Sequence, residues 1–264
     1  MGNTIQSVLD QTKNDWELIV VDDGSTDNTK RLVEGFDKPQ IRYFYQENKG
    51  PSAARNLGLR KAKGNWIAYI DSDNELLPNY LETMGKWIEK NPKVLYFLPR
   101  GHKTRELIQN NKVTKSIDAT EKNYPPTLTI KDIFMRNMQF DGNGFMHDRK
   151  IIDEGILWDE DLSLCEEWEY VMRVATRFPN NFLYVPVFLF NYHQRFGGDG
   201  LVSNASYTEW AETFEYIYQK HKNDPLLKGQ KWYPERVTRY TKLEKDVRQG
   251  KAPPAYLRYF VKTK

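Results

Sequence analysis

The chain has a single cysteine, Cys165, among its 264 residues. That excludes an intrachain disulfide and a cysteine-built zinc site, and it fits a reducing, cytoplasmic compartment. Long hydrophobic runs are also missing. The best of them, residues 18–21 and 94–98, end after about five residues, where a membrane helix needs roughly 20, so a soluble chain is expected. Residues 1–12 lack the basic start and apolar stretch of a signal peptide. Charge of one sign is absent too: 39 Lys and Arg stand against 36 Asp and Glu, a net +3. This balance predicts no obligate polyanion and no nucleic-acid partner. No G-x-G-x-x-G follows a strand-like segment, which argues against a nicotinamide oxidoreductase. Repeats and low-complexity tracts do not occur.

What is present alternates in the α/β manner. Apolar strand candidates at residues 17–22, 41–46, 66–70 and 94–98 are separated by helical stretches. One helix spans 28–36, one starts at Pro51 and is stopped by Gly64, and one spans 78–90; proline suits a first helical turn. This order predicts a largely parallel sheet. Residues 101–126 read as a polar loop or excursion. A short helix at 131–138, a glycine-rich bend at 141–144, a helix at 166–177 and a strand at 182–190 follow. Residues 205–264 carry 13 Lys and Arg against 7 Asp and Glu, a local +6, and read as a helical, aromatic, basic extension. The expected organisation is therefore 1–100, 101–204 and 205–264.

Ligands of parallel α/β sheets bind beyond the carboxyl ends of the strands. There this chain is acidic, with Asp22-Asp23 after the first strand and Asp71-Ser-Asp73 after the third. Carboxylates gathered at one edge repel each other unless a cation or a set of donors is supplied, and two around one turn suit a hard divalent ion. An Asp-x-Asp string is weak evidence alone. The 18 Asp of the chain produce about one by chance, and Asp159-Glu-Asp161 is a second. A capping turn before the next helix explains Asp71 and Asp73 equally well in isolation.

The larger arrangement decides otherwise. In order, the chain has Ser7-Val-Leu-Asp-Gln-Thr12, Trp16-Glu-Leu-Ile-Val-Val-Asp-Asp-Gly-Ser-Thr-Asp27 and Asn48-Lys-Gly-Pro-Ser-Ala-Ala-Arg-Asn-Leu-Gly58. Gly64-Asn-Trp-Ile-Ala-Tyr-Ile-Asp-Ser-Asp73 and a later Glu166-Glu167 with Arg173 complete the series. Across residues 3–203 this resembles the inverting glycosyltransferases of family 2. The resemblance implies an α/β GT-A fold: a Rossmann-like, mostly parallel sheet flanked by helices, here with a helical C-terminal extension.

It also implies roles. Asp23 is similar to the carboxylate that accepts from the nucleotide base, with Asp22 as the second choice. Arg55, one turn into a helix facing the ligand edge, would contact base or phosphate, although a surface ion pair explains it as well. Asp71 would face ribose and metal, and Asp73 would coordinate the Mn²⁺ or Mg²⁺ bridging the diphosphate. Glu167 occupies the position of the general base, with Glu166 as the alternative, while acids in a first helical turn also suit the helix dipole. Glu169 is expected to face solvent or Arg173. His193 could reach the metal or phosphate or be an ordinary loop histidine. Asp141-Gly-Asn-Gly144 with Met146-His147 resembles a segment lining the donor-sugar and acceptor cleft, though its glycines could serve the bend alone. Trp158-Asp159-Glu160 is explained by packing and capping, and Cys165 by burial.

The implied activity moves a sugar from a nucleotide-diphosphate donor, UDP-linked, to a hydroxyl of a glycan or lipid-linked acceptor in polysaccharide biosynthesis. Family members place an apolar strand before the segment that opens this chain. Without it two strand edges would be exposed, and the alternative is a non-catalytic nucleotide-sugar or glycan-binding module. In the extension, Trp210, Phe214, Ile217 and Tyr218 recur at helical spacing. Packing on the catalytic domain accounts for them, while the local +6 would add weak contact with an anionic membrane surface, at the inner face.

Overall fold

The computed structural model describes residues 1–110, 112–120, 142–196, 205–224 and 232–251. Two compact units result, one of Met1–His102 with Thr120–Tyr192 and the other of Lys103–Ala119 with His193–Lys264.

In the first unit, α1 (Gly2–Leu9) buries Thr4, Ile5 and Val8, an i, i+1, i+4 face. Two six-residue strands, β1 (Leu18–Asp23) and β2 (Ile41–Gln46), pair in parallel from Leu18 opposite Ile41 to Asp23 opposite Gln46. The segment carrying α2 (Thr29–Glu34) supplies the crossover that a parallel pair requires. Then come α3 (Pro51–Lys61), β3 (Trp66–Ala68), β4 (Glu75–Leu76), α4 (Tyr80–Lys90) and β5 (Tyr96–Gln109). After β6 (Lys112–Asp118), the described chain continues with β7 (Met146–Asp148), α5 (Lys150–Asp153), α6 (Glu166–Arg177) and β8 (Phe182–Phe196).

A six-stranded sheet has the order β3-β7-β5-β8-β4, with β6 on β5. β7 lies between β3 and β5 and runs antiparallel to both, β4 is antiparallel to β8, and β6 is antiparallel to β5. Among the described residues, β1 pairs only with β2 and β3 only with β7, so each presents an open edge.

The segment expected as a loop from residue 101 is partly sheet. β5 continues to Gln109 and β6 returns beside it, from Gln109 opposite Lys112 to Thr104 opposite Asp118. Almost every residue of β6 is exposed, so no buried face produced the apolar alternation that announces a strand. β8 likewise runs past residue 190 to Phe196. The helix expected at 131–138, and Asp141, lie outside the described residues.

The core of the first unit gathers Tyr80, Met84, Phe97, Met146, Val185, Leu189 and Phe190, and a smaller cluster joins Ile5, Val20 and Val33. Phe190 sits between two glycines. A Cβ at Gly144 would stand 2.6 Å from its ring, and one at Gly101 would collide with it outright.

In the second unit, Ser206 and Glu209 form a reciprocal capping box that starts α7 (Tyr207–His221). Trp210, Phe214 and Ile217 are buried. Phe214 stacks on Tyr240 of α8 (Trp232–Arg248) at 5.6 Å, and Trp210 on the same ring at 5.8 Å. The aromatic stripe of the extension thus has a partner helix within its own unit.

Because the Phe190 ring fills the space a Cβ needs, Gly101→Ala should cost about 1–3 kcal/mol by overpacking. That corresponds to a fall in Tm of roughly 2–10 °C in thermal unfolding followed by circular dichroism. An unchanged Tm would mean that the ring has room to move.

Candidate active site

The carboxyl end of β1 carries the first acids. Asp22 is buried: one oxygen accepts from the Ser25 amide at 2.8 Å and the other from the Tyr43 hydroxyl at 2.6 Å. Burial alone would raise its carboxyl, but these donors outweigh burial and hold it below the usual range. Burial, together with the Asp22 carboxylate, pushes the Tyr43 hydroxyl up to about 12. Asp22 is therefore committed to the fold. Asp23 accepts from Gln46 Nε2 at 2.7 Å, the Lys49 amide at 2.9 Å and the Gly50 amide at 2.8 Å. Gly24, with φ at +85°, permits this, since a Cβ there would stand 2.8 Å from the Asn48 amide nitrogen. Asp23 thus fastens the turn that starts α3, and it remains partly exposed.

α3 is held to a distant segment through its buried polar face. Asn56 donates to the Trp158 carbonyl at 2.9 Å and to Glu160 at 2.7 Å, and accepts from the Trp158 amide at 2.8 Å. Ser52 donates to the Leu162 carbonyl at 3.3 Å. These bonds bring residues 158–162, and α6 after them, against Arg55. Cys165, at the head of α6, has a left-handed backbone with φ at +58°, an uncommon state for a side chain other than glycine or asparagine.

Arg55 is the meeting point. Its guanidinium donates to Glu166 at 2.8 Å and Asp71 at 3.2 Å, and meets Glu167 at 3.5 Å. It also lies 4.6 Å from the centroid of the Trp158 ring. Burial would favour its loss of charge, but the carboxylates of Asp71, Glu167 and Glu166 outweigh burial and hold it protonated. In this structure its partners are acids of the site.

Of the acid pair, Glu166 is the more enclosed, with 10% of its side chain exposed against 22% for Glu167. Glu167 lies beside Gly142, where a Cβ would approach its Oε1 to 3.0 Å. Glu169 is buried and paired in two-pronged fashion with Arg173, at 2.8 and 2.9 Å.

The third-strand acids sit on a tight turn. The Asn74 amide donates to the Asp71 carbonyl at 3.0 Å, and Thr4 of α1 donates to the Ser72 carbonyl at 2.8 Å. Asp71 faces Arg55 with one oxygen and Asn143 with the other, which accepts from Asn143 Nδ2 at 2.9 Å. Asp73 follows, half-buried. His193 belongs to the second unit, where its Nδ1 is 3.1 Å from Thr104 Oγ1 and 3.1 Å from Glu106 Oε1. Among the described residues no group of three His, Cys, Asp or Glu side chains is placed to hold a metal by itself.

Behind Arg55 lies a buried aromatic network. Trp158 stacks on Tyr170 at 4.2 Å, and its indole nitrogen donates to the Tyr69 hydroxyl at 3.3 Å. The hydroxyls of Tyr69 and Tyr170 reach His147 Nε2 at 2.8 and 3.2 Å, while Nδ1 lies 2.9 Å from the Asp148 carbonyl. These contacts assign the proton to Nδ1, so that Nε2 accepts. The sequence explains Trp158-Asp159-Glu160 by packing and capping, offers Asn143 only as part of the glycine-rich segment resembling a cleft lining, and gives no role to Tyr69 or Tyr170. The Gly-Asn-Gly bend was the signal available for Asn143.

Residues 1–155 match the family described as Glycosyl transferase family 2. The chain belongs to that family. Among family 2 glycosyltransferases it is 38% identical over 120 residues to WfgD of Escherichia coli, a UDP-Glc:alpha-D-GlcNAc-diphosphoundecaprenol beta-1,3-glucosyltransferase, covering 45% of this chain and 46% of that protein. It is 44% identical over 89 residues to a Rickettsia bellii protein described as an uncharacterized glycosyltransferase, covering 33% of this chain and 13% of the other. The matched part thus spans well under two thirds of these relatives. Among solved structures, S. aureus TarS 1–349 in complex with UDP-GlcNAc aligns with a TM-score of 0.65 at 18% identity, over 92% of this chain and 68% of that one. The mannosyltransferase PcManGT from Pyrobaculum calidifontis, in complex with GDP-Man and Mn²⁺, aligns at 0.61 and 15%, over 95% and 72%. These likenesses establish the α/β GT-A fold.

His147 supplies a pH test of the network behind Arg55. Burial, which outweighs the Asp148 carbonyl contact, pushes its imidazole down to about 4 from an ordinary 6.5. The unfolded chain therefore binds the extra proton first, and this contribution to stability is complete above pH 6.5 and is lost as pH falls toward 4. Between pH 7 and 4.5 the His147→Gln variant should lose about 2–3 kcal/mol less stability than the unmodified chain in urea unfolding. Parallel losses in both proteins would remove His147 from the acid response.

Proposed function

We propose that the chain transfers a sugar from a nucleotide diphosphate, UDP-linked, to a hydroxyl of a glycan or lipid-linked acceptor, with inversion at the anomeric carbon. The observation that carries this reading is the convergence on Arg55 of a donor-edge acid, Asp71, with the acid pair at the head of α6. The UDP-Glc donor of WfgD and the UDP-GlcNAc bound to TarS support a UDP-linked donor. Asp23, partly exposed and already oriented by three donors, is the acceptor for the nucleotide base. Asp22, buried and held by Tyr43 and Ser25, serves the fold beside it.

Glu167 is the better base of the pair. A general base must reach the acceptor hydroxyl, and Glu167 is both more exposed and more loosely held by Arg55 than Glu166. Glu166, tied to Arg55 at 2.8 Å, orients the guanidinium. In the transfer, Glu167 takes the proton of the acceptor hydroxyl as that oxygen attacks the anomeric carbon and the nucleotide diphosphate leaves from the opposite face.

The residues present fit a divalent ion that enters with the donor. Three carboxylates against one guanidinium leave the cluster negative, which would repel a bare diphosphate. The Asp71 side chain is 42% exposed, so lone pairs remain beyond Arg55 and Asn143. Asp73 and Asp71 would hold Mn²⁺ or Mg²⁺ together with diphosphate oxygens, the habit of ions bound by one or two carboxylates plus substrate. When bound, the ion neutralises charge on the departing nucleotide. His193 is left outside this set, because its contacts lie with Thr104 and Glu106.

Three substitutions test the reading. Asp73→Asn should abolish the gain in UDP affinity that Mn²⁺ brings in titration calorimetry. Glu167→Gln should lower turnover about 10²- to 10⁴-fold with donor affinity nearly intact. Loss of turnover in Glu166→Gln alone would shift the base by one residue. Tight UDP binding without any turnover in the unmodified chain would favour the binding-module alternative.

No described helix is long and apolar enough to cross a membrane. With Trp210, Phe214 and Ile217 buried, contact with anionic lipid rests on the +6 of residues 205–264 alone. Binding to anionic vesicles in flotation should therefore be weak and lost at high salt. Binding that persists at high salt, or appears with neutral vesicles, would contradict this charge-only attachment.

A further inference from the structure

The antiparallel pairing of β3 with β7 continues beyond the strand ends. Ala68 stands opposite Met146, the Tyr69 amide donates to the Phe145 carbonyl at 3.3 Å, and the Gly144 amide donates to the Tyr69 carbonyl at 2.9 Å. In the β3–β7 register Asp71 would stand opposite Asn143, but the Gly144 amide takes the Tyr69 carbonyl that this register assigns to the Phe145 amide. The backbone leaves the ladder there, because Gly144 adopts φ of +72°. The side chain of Asn143, only 1% exposed, takes the place of the missing backbone group. Its Oδ1 accepts from the Asp71 amide at 2.8 Å, and its Nδ2 donates to Asp71 Oδ2 at 2.9 Å.

This double contact needs one planar group that accepts and donates at once, which a carboxamide does and a carboxylate, hydroxyl or methyl does not. The other Asp71 oxygen faces Arg55. The two partners act differently: Arg55 offsets the charge of Asp71, whereas Asn143 fixes its orientation and leaves the charge in place.

We propose that Asn143 is a positioning residue for Asp71, holding its carboxylate in the orientation that receives the diphosphate and its cation. The inference rests on the donor-site reading given above, and it assigns Asn143 a task beyond the bend of its glycine neighbours. Oriented lone pairs matter most for a hard ion with strict geometry, so the consequence falls on cation-assisted binding of the nucleotide.

The test is titration calorimetry of UDP, with and without Mn²⁺, on the full chain and on Asn143→Ala, Asp71→Ala and the double variant. Asn143→Ala should weaken UDP binding in Mn²⁺ by about tenfold or more, and change binding without the ion much less. In the Asp71→Ala background the same substitution should cause no further loss, since a residue acting through Asp71 has nothing left to position. Equal losses in both backgrounds, or unchanged affinity in Asn143→Ala, would overturn the proposal. If Asn143→Ala loses its cooperative thermal melt, Asn143→Ser carries the comparison, and loss of the melt in both would make Asn143 a folding residue and overturn the proposal. The donor-site reading fails separately, and takes the proposal with it, if the unmodified chain binds UDP neither with nor without Mn²⁺.

Discussion

A guanidinium with only 14% of its side chain exposed stays charged in a protein only where opposite charge and hydrogen-bond acceptors surround it. Arg55 meets that condition through Glu166, Asp71 and Glu167, with the Trp158 face against it. The three acids come from two other chain segments, Asp71 16 residues along and the glutamates 111 and 112 residues along, so the fold must deliver them together. Removing one acid would still leave Arg55 two carboxylates, whereas removing Arg55 would leave three acids facing one another without a counter-charge.

The delivery is done by neutral groups. Asn56 and Ser52 on α3 bond the backbone at 158–162, which brings the head of α6 to Arg55. The ladder between β3 and β7, extended by Asn143, brings Asp71. His147, Tyr69 and Tyr170 set the floor on which Trp158 lies. A carboxamide or a backbone carbonyl can hold a charged group in place without neutralising it, and this leaves the cluster negative and receptive to a cation with its diphosphate.

The two acidic edges have separate tasks. At the end of β1, buried Asp22 is held by the Ser25 amide and the Tyr43 hydroxyl, while Asp23, whose three donors fasten the turn leading into α3, stays partly exposed. At the end of β3, Asp71 keeps a large exposed fraction and a charge only partly offset. An Asp-Asp pair and an Asp-x-Asp string look alike as sequence, but their donors and burial distinguish Asp22, enclosed and held on both oxygens, from the more open Asp71.

The order and spacing of motifs were enough to reveal the α/β fold, the family, the start of α3 at Pro51 and the span of α6, and they singled out Arg55, Asp71 and Glu167, which the fold brings together. Those features depend on local periodicity, capping chemistry and chain order, all of which are written along the chain. The strand β6 and the far end of β5 were not legible, because an exposed hairpin is held by backbone bonds that carry no apolar pattern. The partners of Arg55, the role of Asn143 opposite Asp71, the buried neutral state of His147 and the contrast between Glu166 and Glu167 were decided only by tertiary structure. Each depends on distance, burial and hydrogen-bond direction between segments remote in sequence, and none of these is a property of the residues taken in order.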